Sequence, residues 1–170
     1  FSDADNKTPI SEFNKIESRL LEGFDVVIGS RSLPESQIEQ MQPLYRRLGS
    51  KGFDVVKRLC IGLDDISDTQ CGFKFFVAHV ARDLFRRQTI DGYMFDVEIL
   101  FIARQLGYQI AQVPVRWRDD GDSPSRVISG ALRILSDTLA IRRRHRSLRP
   151  DNQPQAVLSS IDGSVSRRLD

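Results

Sequence analysis

The sequence predicts one α/β domain, and three observations carry that reading. Apolar residues recur at helical spacing through Ile10, Phe13, Ile16, Leu20 and Leu21, and a short β-branched run at residues 24–29 (FDVVIG) follows, bounded by glycine. A run of that kind reads as a strand buried in a parallel sheet. Helix-period and strand-like segments then alternate along the chain, as they do in α/β crossovers. Finally, 170 residues with 40% hydrophobic and 28% charged side chains suit one compact domain, which buries roughly 70% of its unfolded surface.

Each element has its own signal. Pro9 suits a first helical turn and Gly23 a stop, so a helix is expected over 10–21. Residues 30–42 are polar and hold Pro34; one or two helices are expected over 44–63, where Leu48, Phe53, Val56, Leu59 and Cys60 stand among Arg46, Arg47 and Lys51. An acidic turn at 64–69 leads into an aromatic-rich strand at 70–76, and that strand runs into a helix at 78–87. Phe95, Ile99, Ile102 and Leu106 share one helical face, with Gly107 as terminator. Residues 110–117 (IAQVPVRW) read as a strand whose Pro114 requires an edge or a bulge. A polar loop at 119–126 precedes an amphipathic helix from Val127 that continues through Arg142, Arg143, Arg144 and Arg146. Residues 150–170 shift to Asp, Asn, Gln, Ser, Pro and Gly, the composition of a disordered tail.

Composition bounds the function. Lys and Arg number 25 against 23 Asp and Glu, a formal charge of +2, so bulk steering of nucleic acid has no support and a nucleic-acid partner is not expected. Cys60 and Cys71 show neither staple-like density nor a Cys-x-x-Cys spacing, which fits a reducing compartment or two inert core thiols. No continuous apolar run reaches transmembrane length.

Several residues can carry chemistry, and each has a plainer reading beside it. Asp3 and Asp5 alternate around Ala4, so a strand or turn here offers two hard oxygen ligands to Mg²⁺ or Mn²⁺; on spacing alone an exposed Asx turn ahead of a helix is the favoured reading, because Asp-x-Asp is short and common. Arg31 follows the first strand directly, on the carboxyl-end rim where open α/β sheets bind ligands, and can clamp phosphate or form a surface ion pair. Arg46, Arg47 and Lys51 read as a solvated helix face, one member of which can meet an anionic substrate. Asp64, Asp65 and Asp68 precede Thr69-Gln70-Cys71-Gly72, an acidic rim with a glycine that lets a ligand approach the backbone, or an ordinary turn. Asp96 and Glu98 stand near a helix start, where carboxylates favour the dipole, and one of them can serve as a base or bind a hydroxyl. Cys71 reads as packed, His79 and His145 as structural or surface groups, and Trp117 as a packing or stacking ring. The last helix reads either as core-packed with a basic end or as an interfacial helix beside anionic lipid.

Taken in order, FSDAD at the start, VVIGSR at 26–31, DTQCGFK at 68–74, GYMFDVEIL at 92–100 and QVPVRW at 112–117 resemble family 2 glycosyltransferases, above all the dolichyl-phosphate β-glucosyltransferases and prokaryotic polyprenyl-phosphate relatives. The likeness spans about residues 1–126. It implies a GT-A (Rossmann-like) fold of which residues 1–126 form the second part, the upstream nucleotide-binding strands being absent from a chain that opens in mid-domain. Residues 127–149 are then a basic, membrane-interfacial helix and 150–170 a tail. The resemblance also implies that Asp3 and Asp5 hold Mg²⁺ or Mn²⁺ against the donor diphosphate, and that Arg31 meets the acceptor phosphate or the nearby donor phosphate. Asp68, Gln70 and Lys74 would lie around the acceptor, and Ser125 and Arg126 would stand where relatives carry Ser-Lys.

The expected reaction is an inverting transfer of a hexose, glucose favoured, from a nucleoside-diphosphate sugar such as UDP-glucose to a polyprenyl phosphate. It would take place on the cytoplasmic face of a membrane, and the sequence leaves the oligomeric state open. Two alternatives stand beside it: transfer to a hydroxyl acceptor with Asp96 or another carboxylate as base, and a non-catalytic membrane or protein interaction module.

Overall fold

The computed structural model describes residues 1–39, 61–118 and 131–150. The expected helices over 44–63, Arg46, Arg47, Lys51, Cys60, Ser125, Arg126 and nearly all of the expected tail lie outside the described residues.

A 3₁₀ turn, Ile10–Glu12, opens into helix α1 (Phe13–Leu21), with Pro9 capping the turn in an extended conformation. Gly23 at φ +98° ends α1 in a Schellman motif: its N–H bonds the Leu20 carbonyl and Phe24 N–H bonds that of Arg19. Phe24 therefore still belongs to the helix cap. Strand β1 (Val26–Ser30) starts two residues later than the apolar run suggests.

Strand β1 is buried at every position and lies in the middle of a three-stranded sheet. One neighbour, β4 (Ile110–Pro114), runs parallel with Val26 opposite Ile110 and Ser30 opposite Pro114. The other, β3 (Lys74–Phe76), runs antiparallel with Ile28 opposite Lys74. The sheet is thus mixed where a parallel one was expected. The chain reaches β3 from the end of β1 where β1 stops, and a strand begun there can only run back. Residues 70–72 approach it in irregular backbone with a bend at Gly72, and Phe73 makes only an isolated bridge to Ser2, so the expected strand is shortened to its last residues.

Alternation along β1 divides the core. Val27 joins Ile16 of α1, Cys71, Phe73, Ala111, Val113 and Val115 on one face. Val26 and Ile28 face the larger cluster, supplied by helices α2 (Ala78–Arg87) and α3 (Phe95–Gln105) through Val80, Leu84, Val97, Ile99 and Leu100. Gly107, at φ +81°, closes α3 with a second Schellman motif. Pro114 ends β4 on the sheet edge, as its missing N–H requires, and Val115 separates it from β5 (Arg116–Trp117). A two-stranded parallel sheet joins β5 to β2 (Gln37–Ile38).

Helix α4 (Ala131–His145) is amphipathic in two directions. Thr138, Ile141 and His145 are buried, and Ile141 enters the larger core; Leu135 and Leu139 remain exposed with Arg143 and Arg146. The buried face is fixed by Glu98 of α3. Its carboxylate, fully buried, accepts Thr89 Oγ1 at 2.6 Å and the backbone N–H groups of Thr89 and Ile90 at 3.0 and 2.8 Å, and bonds His145 Nε2 at 2.8 Å. Burial alone would raise the Glu98 pKa, but the Thr89, His145 and Ile90 hydrogen bonds outweigh it and hold the group below the ordinary glutamate value.

A carboxylate with a lowered pKa contributes stability that is present above its unfolded value, about 4.3, and lost as acid protonates it. Glu98→Gln is therefore expected to cost about 2 kcal/mol at neutral pH. Urea unfolding of the two proteins at a series of pH values should show the difference shrinking as pH falls below the ordinary glutamate range.

Candidate active site

The parallel strands β1 and β4 end on the same side of the sheet, and β3 begins there. Phe73 accepts Gly29 N–H at 2.7 Å, Asp3 N–H bonds the Gly72 carbonyl at 2.8 Å, and Ser2 pairs with Phe73. These bonds carry Asp3, Arg31, Asp68, Gln70 and the start of β3 to one rim. It is the carboxyl-end rim that the sequence singles out.

Polar side chains fasten the acidic loop over this rim. Gln112 of β4 accepts Ser67 N–H at 2.8 Å and Ser67 Oγ at 2.7 Å through Oε1, and donates from Nε2 to the Asp65 carbonyl. Ser30 and Ser67 share a hydroxyl bond of 2.8 Å, and Ser36 Oγ caps the Ser30 carbonyl. Gly29 leaves no room for a side chain: a Cβ there would stand 2.9 Å from Val115 Cγ1 and 3.3 Å from Cys71 Sγ. Sequence reasoning passed over Gln112, Ser30 and Ser67 as site residues. The available signal was a glutamine in the middle of an otherwise apolar strand run.

Arg31 and Asp68 form a bidentate pair. Arg31 Nε donates to Oδ2 at 2.7 Å and Nη2 to Oδ1 at 2.9 Å, while Arg31 N–H and Gln70 N–H donate to the same carboxylate at 3.0 and 3.1 Å. Burial would push the Asp68 pKa up, but Arg31 and the two backbone N–H groups hold it below the usual range. For Arg31, burial works against the charge and Asp68 more than compensates, so its pKa is raised. The guanidinium also lies over the Trp117 ring, 5.2 Å from its centroid, which makes Trp117 a stacking partner of Arg31.

The acidic pair divides between its two readings. Asp5 Oδ1 accepts Lys7 N–H at 3.2 Å and its carboxylate lies 3.4 Å from the Lys7 ammonium, an Asx turn with Asn6 at φ +54°. Asp3 is extended and exposed, and no cation among the described residues is paired with its carboxylate in an ion pair. That carboxylate occupies the space beside Gly72: a Cβ built there would fall inside it. Among the described residues no three His, Cys, Asp or Glu side chains gather as a metal cage. Mg²⁺ needs no such cage, since it is commonly held by one or two carboxylates with substrate phosphates and water. Asp3 and Asp5 offer oxygen donors of that kind, Asp5 only in exchange for its contact with Lys7.

Lys74 is fully buried. Its ammonium donates to the Cys71 carbonyl at 2.6 Å and lies 2.9 Å from Asp96 Oδ1, an ion-pair contact without a well-directed hydrogen bond. Lys74 thus faces Asp96 and the 68–73 turn. Burial raises the Asp96 pKa, Lys74 opposes it, and the charges of Asp3 and Asp68 add to the rise. Gln70 accepts Tyr93 O–H at 2.9 Å, and its Nε2, like Thr69 Oγ1, is buried with no hydrogen-bond partner among the described residues. Asp65 lies on the outside, paired with Arg104. Glu98 and His145 lie in the α3–α4 contact and His79 is exposed on α2.

Comparison with known proteins puts names beside this arrangement. No family model matches the chain. A dolichyl-phosphate beta-glucosyltransferase of Dictyostelium discoideum is 36% identical over 149 residues, covering 84% of this chain and 45% of that protein. The dolichyl-phosphate beta-glucosyltransferase ALG5C of Trichomonas vaginalis is 37% identical over 145 residues, 82% of this chain and 42% of that protein. A Drosophila melanogaster protein of the first name is 33% identical over 125 residues, 70% and 38% of the two chains. The chain is homologous to the dolichyl-phosphate β-glucosyltransferase family. It spans less than half the length of these relatives.

For a homologue of the dolichyl-phosphate β-glucosyltransferases, the rim has a consistent logic. Asp3, Arg31, the 68–74 segment with Asp68, Gln70 and Lys74, and Asp96 are separated in sequence, yet contacts at Gly72, Cys71 and Asp68 link them. Cys71 sits among them as a packed thiol. Burial, with the Asp68 charge adding, pushes its pKa up to about 11 against the pull of Arg31 and Lys74. Iodoacetamide at pH 8 is accordingly expected to leave Cys71 unlabelled in the native protein and to label it in urea, read by mass spectrometry of its peptide.

Proposed function

We propose that this chain forms the phosphate-handling part of an inverting glycosyltransferase of the GT-A type, which moves a hexose from a nucleoside-diphosphate sugar, UDP-glucose favoured, to a polyprenyl phosphate at the cytoplasmic face of a membrane. The supporting observation is the rim itself. Asp3, an exposed carboxylate beside Gly72 with no ion pair among the described residues, and Arg31, a guanidinium oriented by Asp68, stand on one rim in a homologue of proteins named for dolichyl-phosphate glucosylation.

In this reading Asp3 and Asp5 hold Mg²⁺ or Mn²⁺. The ion, when bound, supplies positive charge for the departing nucleoside diphosphate. Arg31 binds the acceptor phosphate and orients it, so that a bimolecular encounter becomes a positioned attack at the anomeric carbon. A phosphate monoester is already ionised near neutral pH, its second pKa being about 6, so the attacking oxygen needs no strong base. Asp96, steadied by Lys74, accepts a hydroxyl of the transferred sugar, and Gln70 and Tyr93 border the acceptor side. Ser125 and Arg126 add to the phosphate contacts. One displacement inverts the anomeric carbon.

Association with a membrane surface is part of the proposal. No helix among the described residues is long and apolar enough to cross a bilayer. Helix α4 presents Leu135 and Leu139 outward with Arg143 and Arg146, a face suited to lie in an anionic headgroup layer.

A second reading rests on Asp96. Its raised pKa also suits a base that deprotonates a sugar hydroxyl acceptor. Incubating the full-length enzyme with labelled UDP- and GDP-sugars and either polyprenyl phosphate or hydroxyl acceptors separates the two. Product on the lipid phosphate is expected; product on hydroxyl acceptors alone would overturn the main reading. Asp3→Asn and removal of divalent metal are each expected to lower transfer by ~100-fold or more. Gly72→Ala, which evicts the Asp3 carboxylate, should approach the same loss while the thermal midpoint stays near that of the parent.

A further inference from the structure

A guanidinium has two forks for oxyanions, Nε with Nη2 along its side and Nη1 with Nη2 at its end. In Arg31 the side fork is taken: Nε and Nη2 donate to the two oxygens of Asp68 at 2.7 and 2.9 Å. Asp68 Oδ2 also accepts the Arg31 backbone N–H at 3.0 Å, so one carboxylate fixes both the main chain and the side chain of the same residue. Asp68 is itself held, since Oδ1 accepts Gln70 N–H at 3.1 Å and its side chain keeps only 7% of its exposure. Trp117 covers a face of the guanidinium. Arg31 nevertheless retains 27% of its side-chain exposure, and the end fork is the edge that neither Asp68 nor Trp117 takes.

We infer that Asp68 is a positioning residue: by occupying the side fork of Arg31 it dedicates the Nη1–Nη2 end to the phosphate monoester of the acceptor. The inference rests on the proposed role of Arg31 and deepens it. Asp68 brings a negative charge close to a site for an anion, which by Coulomb's law alone weakens phosphate binding. Direction compensates, because two parallel N–H···O bonds require the guanidinium plane to be set before the phosphate arrives. Charge and direction therefore make opposite predictions. If Asp68 acts only as a charge, neutralising it tightens the acceptor; if it positions Arg31, neutralising it loosens the acceptor.

The test measures KM for polyprenyl phosphate and KM for the sugar nucleotide in the full-length enzyme, for Asp68→Asn, Asp68→Glu, Arg31→Lys and each Asp68 variant combined with Arg31→Lys. An amide at position 68 turns an NH₂ toward the guanidinium and loses one fork bond, so Asp68→Asn is expected to raise the acceptor KM ~10-fold or more. The donor KM should stay unchanged. Asp68→Glu keeps the charge and displaces the fork by one methylene, and is expected to raise the acceptor KM as well, which makes it the test should Asp68→Asn fail to fold. In the Arg31→Lys background neither variant should add a further loss. A lower acceptor KM in Asp68→Asn, an equal rise in donor and acceptor KM, or an undiminished effect in the Arg31→Lys background would overturn the inference. Should Arg31→Lys itself leave the acceptor KM unchanged, the proposed role of Arg31 fails, whatever Asp68 does.

Discussion

Strand β1 demands more of its surroundings than any other segment. All of its residues are buried, so both edges must be hydrogen-bonded and both faces covered, because an unpaired buried N–H or C=O costs as much as a lost hydrogen bond. Strands β3 and β4 satisfy the edges, α1 covers the Val27 face, and α2 with α3 covers the Val26 and Ile28 face. The site is what emerges where this arrangement stops. Ser30 is the last buried residue of β1, and the chain leaves the sheet through Arg31 with its direction already fixed by the strand.

At that exit two cations answer two carboxylates. Arg31 is matched by Asp68 and Lys74 by Asp96, and both pairs are partly or wholly removed from water. Such pairs add little net stability, since desolvation offsets much of the attraction, but an unpaired member would be costly. Their value lies in orientation. With these charges matched, the Asp3 carboxylate on this rim is left without an ion-pair partner among the described residues, which suits it to a cation that arrives with the substrate.

Local signals in the sequence located most of the fold. Gly23 and Gly107 mark helix ends because only a left-handed residue closes a Schellman turn, helix periodicity identifies α3 closely, and α2 falls at 78–87 as expected. The rim position of Arg31 follows from its place after a buried strand. What escaped were pairings across long separations: Arg31 with Asp68, Gln112 with Ser67, Glu98 with His145, and the buried Glu12 with Arg116. No local pattern encodes them, since each depends on which strands become neighbours. The antiparallel direction of β3 escaped for the same reason. Helix α4 shows the reverse limit: its apolar pattern is plain, yet only tertiary contact reveals that Thr138, Ile141 and His145, and not Leu135 and Leu139, form the packed face.

The pairing of the first residues with the β3 approach has a consequence for how this segment tolerates change. Ser2 lies opposite Phe73 and Asp3 bonds Gly72, so the carboxylate meets the one position without a side chain through backbone register. In extended chain, moving by one residue turns every side chain to the other face. A single insertion or deletion between Phe1 and Asp3 would thus set Ser2 or Ala4 beside the Gly72 notch, leaving the acidic residues intact in composition and misdirected in space. Length, as much as residue identity, is under constraint in this stretch.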